Sequence, residues 1–126
     1  LRGGDNGTNY DAESVAKVCE SIAKAGRRPH VMVDFSHANS QKQFKRQMDV
    51  CADVCAQIAG GSDYISGVMI ESHLVEGRQD LKAGQTLADL VYGQSITDAC
   101  IGWEDSEKAL FALADAVAER RKKRTE

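Results

Sequence analysis

In three places this sequence sets a polar, chemically capable residue directly beside an apolar run or glycine turn: Asp34-Phe35-Ser36-His37-Ala38-Asn39, Glu71-Ser72-His73, and Arg2 with Gly3-Gly4. In parallel α/β folds ligands gather at the carboxyl ends of strands, so such junctions are where a site is expected. A lone histidine is more often a hydrogen-bonded structural residue, and it is Glu71 that shifts the reading of His37. Glu71 ends the next apolar run, and neighbouring parallel strands lie about 4.8 Å apart. An imidazole and a carboxylate are therefore expected to share one cleft. A carboxylate behind Val68-Met69-Ile70 would bear a desolvation cost if left alone, so a cation, a metal or a proton should accompany it. Asp98, within Ser95-Ile96-Thr97-Asp98-Ala99-Cys100, could add a third ligand, although Thr97-Asp98 on pattern alone is more often a helix cap. Imidazole with hard carboxylate oxygens suits a divalent metal ion such as Mn²⁺, Fe²⁺, Co²⁺ or Zn²⁺, without choosing among them. Arg2 beside two glycines could form an anion clamp, because guanidinium binds phosphate in two-pronged fashion and glycine lets backbone N–H groups approach it. On spacing alone a surface arginine at a turn is the slightly preferred reading.

The elements that must position these residues follow from periodicity. Asp11 can cap a helix over 11–25 in which Val15, Val18, Cys19 and Ile22 recur at helical spacing, with Gly26 placed to end it. Residues 30–37, following the only proline, Pro29, carry Val31-Met32-Val33 and read as a strand buried on both faces. From Ser40 to about Ala59, Phe44, Met48, Cys51, Cys55 and Ile58 form one apolar helical stripe, with Lys42, Lys45, Arg46 and Gln57 opposite and Gly60-Gly61 as the stop. Residues 64–73 give another strand through Ile65, Val68, Met69 and Ile70. From Leu74 to about Ser95 no period holds, and a loop of that length is usually functional or disordered. A last helix is expected from about Asp105 to Lys122 with Leu110, Leu113 and Val117 inward. Repeated β/α units imply parallel strands with right-handed crossovers, in a barrel or an open sheet.

Composition narrows the classes. The 126 residues, 42% of them hydrophobic, suit one domain at most. A net charge of −3 and a pI near 5.6 argue against a nucleic-acid surface. No stretch approaches the ~18 apolar residues of a membrane span, and LRGGDNG lacks signal-peptide features, which together predict the cytoplasm. Cys19, Cys51, Cys55 and Cys100 show neither a CxxC pair nor a framework spacing and read as reduced thiols, with Cys51 and Cys55 in the core. The run Arg120-Arg121-Lys122-Lys123-Arg124 reads as a solvated helix end favoured by the helix dipole. The start on Leu1-Arg2-Gly3-Gly4, a strand end entering a turn without an initiating Met, predicts a cleaved or excised piece of a longer protein.

The strings LRGG, VMVDFSHANS, KQFKRQMDVCADVCAQIAGG, GVMIESHLVEG and SITDACIGWEDSE strongly resemble the class I, microbial 3-deoxy-D-arabino-heptulosonate 7-phosphate (DAHP) synthases, in the family's order and over essentially the whole chain. The resemblance implies a (β/α)8 barrel of which residues 1–126 form the C-terminal part, from the tip of strand six through units seven and eight. It implies a metal-dependent, aldol-type condensation of phosphoenolpyruvate with erythrose 4-phosphate that releases phosphate, the first step of the shikimate pathway, in a homo-oligomeric enzyme. By motif match Arg2 would bind the phosphoenolpyruvate phosphate, and His37, Glu71 and Asp98 would hold the divalent metal. The family's metal site also uses a cysteine from an early strand, and its substrate site uses lysines and arginines from earlier strands. No cysteine here matches that motif, so the isolated chain is expected to be inactive. Two other readings remain: a related synthase joining phosphoenolpyruvate to another aldose phosphate, and a non-catalytic segment with an assembly role.

Overall fold

The computed structural model describes residues 1–125. Asp11 begins α1 (Ala12–Lys24) as expected: its Oδ2 accepts from the Ser14 backbone N–H at 3.0 Å and its Oδ1 from the Ser14 hydroxyl at 2.6 Å. Those bonds favour the ionised carboxylate and hold its pKa below the ordinary aspartate value. The helix ends at Ala25, and Gly26 takes the left-handed φ of 72° that glycine adopts without cost.

Two parallel strands, β1 (Val31–Asp34) and β2 (Ile65–Met69), pair Val33 with Val68 and Asp34 with Met69. Leu1 continues the ladder on the other edge of β1, its amino group donating to the Met32 carbonyl at 2.7 Å and its carbonyl accepting from Asp34 N–H at 2.8 Å. Beyond β2, Ser72 bridges Ile101 in parallel. Both strands are shorter than the expected spans of 30–37 and 64–73. Nor is β1 buried on both faces: Val31 and Val33 are buried, whereas Met32 is 55% exposed. The helices cover only one face of the sheet, and Met32 lies on the other, over Gly67.

The expected helix over 40–59 begins late. Residues His37–Ser40 form a 3₁₀ turn, Gln41 and Lys42 take left-handed φ values of 54° and 58°, Phe44–Arg46 form a second 3₁₀ turn, and α2 runs over Gln47–Ala59. Its buried face consists of Gln47, Val50, Cys51, Val54 and Ile58, rotated from the expected stripe, with Met48 and Cys55 on the flank and Phe44 left in the preceding 3₁₀ turn. Burial pushes the Cys51 thiol up to about 12, so it behaves as a packing group.

The segment after Leu74 is ordered around two short parallel strands, β3 (Val75–Arg78) and β4 (Gln94–Ser95), with a 3₁₀ turn at Leu87–Asp89 between them. The last helix, α3 (Trp103–Thr125), packs on α2 through Ala109 and Ala116, with Leu113 and Val117 beside them. Leu110 does not point inward as expected. It is 55% exposed, because the small alanines bring α3 close to α2 and leave Leu110 and Phe111 outside. The basic end of α3 is not simply solvated either: Arg120 donates to the carbonyls of Ser62 and Ile65, and Arg124 pairs with Asp63. The core gathers Val15, Val33, Phe35, Val50, Val54 and Ile65 between the sheet and the helices. Among the described residues no helix is long and apolar enough to cross a membrane.

Candidate metal centre

All the sequence-predicted site residues lie at the carboxyl ends of the parallel strands. His37 follows β1, Glu71 follows β2, Asp98 sits in the loop before Ile101, and Arg2 follows Leu1. His37 Nε2 stands 3.1 Å from Glu71 Oε1 and 3.9 Å from Asp98 Oδ2. One ligand atom from each of the three lies within 4.8 Å of the others. Asp98 is not a helix cap, since α3 starts at Trp103.

Local structure aims each group. Asp34 Oδ1 accepts the Ser36 N–H at 2.7 Å and its Oδ2 meets His37 Nδ1 at 2.8 Å. With the Nδ1 proton given to Asp34, the Nε2 lone pair faces Glu71 and Asp98, so three electron-pair donors converge on one point. A divalent cation answers that donor set. His37 itself has φ 52°, a conformation that costs a non-glycine residue about 1–2 kcal/mol. Three such residues within one short segment mark it as a strained, functional stretch.

Glu71 is held by a residue that the apolar-stripe reading passed over. Gln47, fully buried at the start of α2, donates from Nε2 to the Glu71 carbonyl and accepts the Glu71 N–H at Oε1, both at 2.9 Å. A glutamine among the inward positions of α2 was the available signal. Gln47→Leu removes both bonds and leaves the Glu71 N–H without a partner, while the Glu71 carbonyl keeps the Ile101 N–H at 3.0 Å. We expect it to destabilise the full-length protein by about 1–3 kcal/mol, read as the shift in a denaturation midpoint. Asp34→Asn tests the other support. It keeps the shape but replaces the anionic acceptor facing His37, and divalent metal affinity by calorimetry should fall by roughly 10–100-fold.

The Asp98 loop is tied by Arg78, whose Nε donates to the Thr97 carbonyl at 2.8 Å. Asp98 remains 75% exposed, against 18% for Glu71 and 24% for His37. Gly3 has φ 75°, and a Cβ there would stand 2.8 Å from the Ala38 Cβ, so only glycine lets the Arg2 segment pack on the turn after β1. That corrects the expected part of the glycines in anion binding. The Gly3 N–H is taken by Asn9 Oδ1 at 2.7 Å and the Gly4 N–H by the Gly7 carbonyl at 2.9 Å, so neither is available to a ligand. Asn39, buried, completes the join by donating to the carbonyls of Leu1 and Asp34.

These residues surround a cavity of about 440 Å³ lined by Arg2, Ser36, His37, Lys42, Phe44, Glu71, Arg78, Asp98 and Ala99. Arg2 thus shares the cavity with the three candidate ligands. Sequence reasoning did not place Lys42 or Arg78 there.

The sequence profile of the DAHP synthetase I family matches residues 1–110. The chain belongs to that family. It is 70% identical over 97% of its length to a phospho-2-dehydro-3-deoxyheptonate aldolase of Haemophilus influenzae, and 64% identical over 96% to the Phe-sensitive aldolase of that name from Escherichia coli. It spans 33% of the length of each. Among solved structures, the aldolase of the same name from Francisella tularensis superposes with a TM-score of 0.88 at 46% identity, over 95% of this chain and 34% of that one. Membership in the DAHP synthetase I family agrees with the resemblance carried by DFSHAN and ITDACIGWED.

Proposed function

We infer that the protein of which this chain forms a part is a metal-dependent DAHP synthase, a transferase that condenses phosphoenolpyruvate with erythrose 4-phosphate and water to give DAHP and phosphate. The observation that carries this reading is the convergence of His37 Nε2 with Glu71 and Asp98 carboxylate oxygens, all within 4.8 Å, in a cavity that also holds Arg2. The three side chains hold the divalent metal, and Arg2 receives the phosphate of phosphoenolpyruvate. When bound, the metal supplies Lewis acidity toward a carbonyl oxygen. Asp34 keeps the His37 ring turned with Nε2 toward the cavity, and Gln47 fixes the main chain of Glu71. Arg2 positions one reactant against the other, which is a large part of the task in joining two bound molecules.

The whole protein folds as a (β/α)8 barrel, with Leu1 at the tip of strand six, β1 and β2 as strands seven and eight, and residues 1–126 as one segment of that domain. The parallel pairing of Leu1, β1 and β2 supports this. The uncovered sheet face at Met32 and the outer face of α3 at Leu110 and Phe111 are where the rest of the barrel and further subunits pack. The enzyme works in the cytoplasm as a homo-oligomer.

A phosphate-release assay with phosphoenolpyruvate, erythrose 4-phosphate and Mn²⁺ tests the reading. The full-length protein turns over and the isolated chain does not, because the chain contributes only part of the ligand and substrate set. A full-length protein that releases no phosphate with any of Mn²⁺, Fe²⁺, Co²⁺ or Zn²⁺ overturns the assignment.

A further inference from the structure

We propose that Lys42 is a substrate-binding residue, a second cation that with Arg2 receives the phosphomonoester of a small phosphorylated substrate. This deepens the functional reading above and rests on it. By periodicity Lys42 belongs on the solvated side of a helix running from Ser40. The structure puts it elsewhere. The helix is interrupted after the 3₁₀ turn at His37–Ser40, two consecutive residues, Gln41 and Lys42, enter the left-handed region at φ 54° and 58°, and Lys42 becomes part of the cavity lining.

The interruption is held in place by main-chain bonds. Gln41 N–H donates to the Ala38 carbonyl at 3.1 Å and Lys42 N–H to the His37 carbonyl at 3.0 Å, so Lys42 is clipped directly to the candidate ligand. Neither Gln41 nor Lys42 is glycine, the residue that would adopt these angles without strain. Strain of this kind persists where surrounding structure fixes it, and it clusters at ligand clamps.

Charge pairing points the same way. Lys45, three residues on, is neutralised by Glu76 at 2.8 Å and Asp105 at 3.6 Å. Arg78 is bound to Asp80 and to the Thr97 carbonyl. Among the described residues Arg2 and Lys42 form no ion pair, although both line a cavity containing Glu71 and Asp98. Those two carboxylates are turned toward His37, so the cations on the wall are left for a ligand that brings its own negative charge. A phosphate dianion with a guanidinium and an ammonium around it matches that arrangement.

The test uses the full-length enzyme and its Lys42→Gly and Lys42→Arg variants. Binding of phosphoenolpyruvate, of erythrose 4-phosphate and of Mn²⁺ is measured separately by calorimetry, with thermal stability alongside. Lys42→Gly removes the charge but accepts φ near 58° without strain, so the fold is retained and its Tm should equal or exceed the parent's. Affinity for at least one of the two phosphates should fall by about tenfold or more, while Mn²⁺ affinity stays within about threefold. Lys42→Arg should recover most of the lost affinity. Unchanged binding of both phosphates to Lys42→Gly overturns the proposal, as does a loss of Mn²⁺ binding in step with theirs. If the parent enzyme itself binds neither phosphate, the functional reading fails and the inference falls with it; that result is seen before any variant is compared.

Discussion

Replacing His37 by alanine is expected to weaken Mn²⁺ binding by more than about a hundredfold, because removing a ligand outright should exceed the 10–100-fold cost of removing only its hydrogen-bond partner. His37 is the only nitrogen donor of the triad. Its Nε2 lies nearer to Glu71 Oε1, at 3.1 Å, than to Asp98 Oδ2, at 3.9 Å. Without it, two carboxylates face each other, one of them 75% exposed and free to turn into solvent. Asp34 Oδ2 also loses its side-chain partner, adding a second uncompensated anion close by. Calorimetry on the full-length enzyme should show the loss, together with loss of phosphate release. An affinity within threefold of the parent would remove His37 from the metal site. The same titration on the isolated chain separates two cases: binding abolished by His37→Ala means that this segment assembles the three ligands alone, and no binding at all means that they converge only within the complete fold.

The second large effect is expected at Phe35. Its side chain is fully buried, and it sits between the residue that orients His37 and the serine N–H that bends the chain after β1. Its own N–H donates to the Met69 carbonyl at 2.9 Å, joining the ends of β1 and β2 just below the site. Phe35→Ala should cost about 3–5 kcal/mol, against a total stability of only about 5–15 kcal/mol for a typical protein. Denaturant unfolding of the full-length enzyme will read it. Phe35→Leu, which fills most of the space, should cost roughly 1.5 kcal/mol or less. Equal midpoints for the parent and Phe35→Ala would mean that this core does not support the end of β1.

How much of this was legible in the sequence differs from element to element. The α1 bounds could be read because the Asp11 cap and Gly26 act within a few residues, and local hydrogen bonds decide them. His37 and Glu71 could be brought to one mouth because parallel β/α topology puts strand ends together regardless of detail, whereas Asp98, whose pattern reads as a helix cap, joined them through the family resemblance. Of their supports only the inward position of Gln47 left a trace. Asp34 and Gln47 act through geometry made by the fold, and nothing in the spacing of Gln47 announces that it faces the peptide of Glu71. The start of α2 was misplaced because the propensity of Gln41 and Lys42 is helical enough, while tertiary contacts force both into left-handed backbone. Leu110 was assigned inward from periodicity that the outer side of α3 also satisfies, since the chain leaves that side bare.

The three candidate ligands come from stretches far apart along the chain, and each lies beyond the end of its supporting element rather than within it. Any cation seated among them therefore acts as a reversible cross-link between those stretches, added to the sheet beneath and to the bonds that Gln47, Ile101 and Arg78 make around the site. Occupancy and folding are then linked by mass action: holding the free ion at a hundred times its dissociation constant adds about 2.7 kcal/mol to the folded state. The resistance of this end of the molecule to opening is thus set in part by the concentration of metal around it.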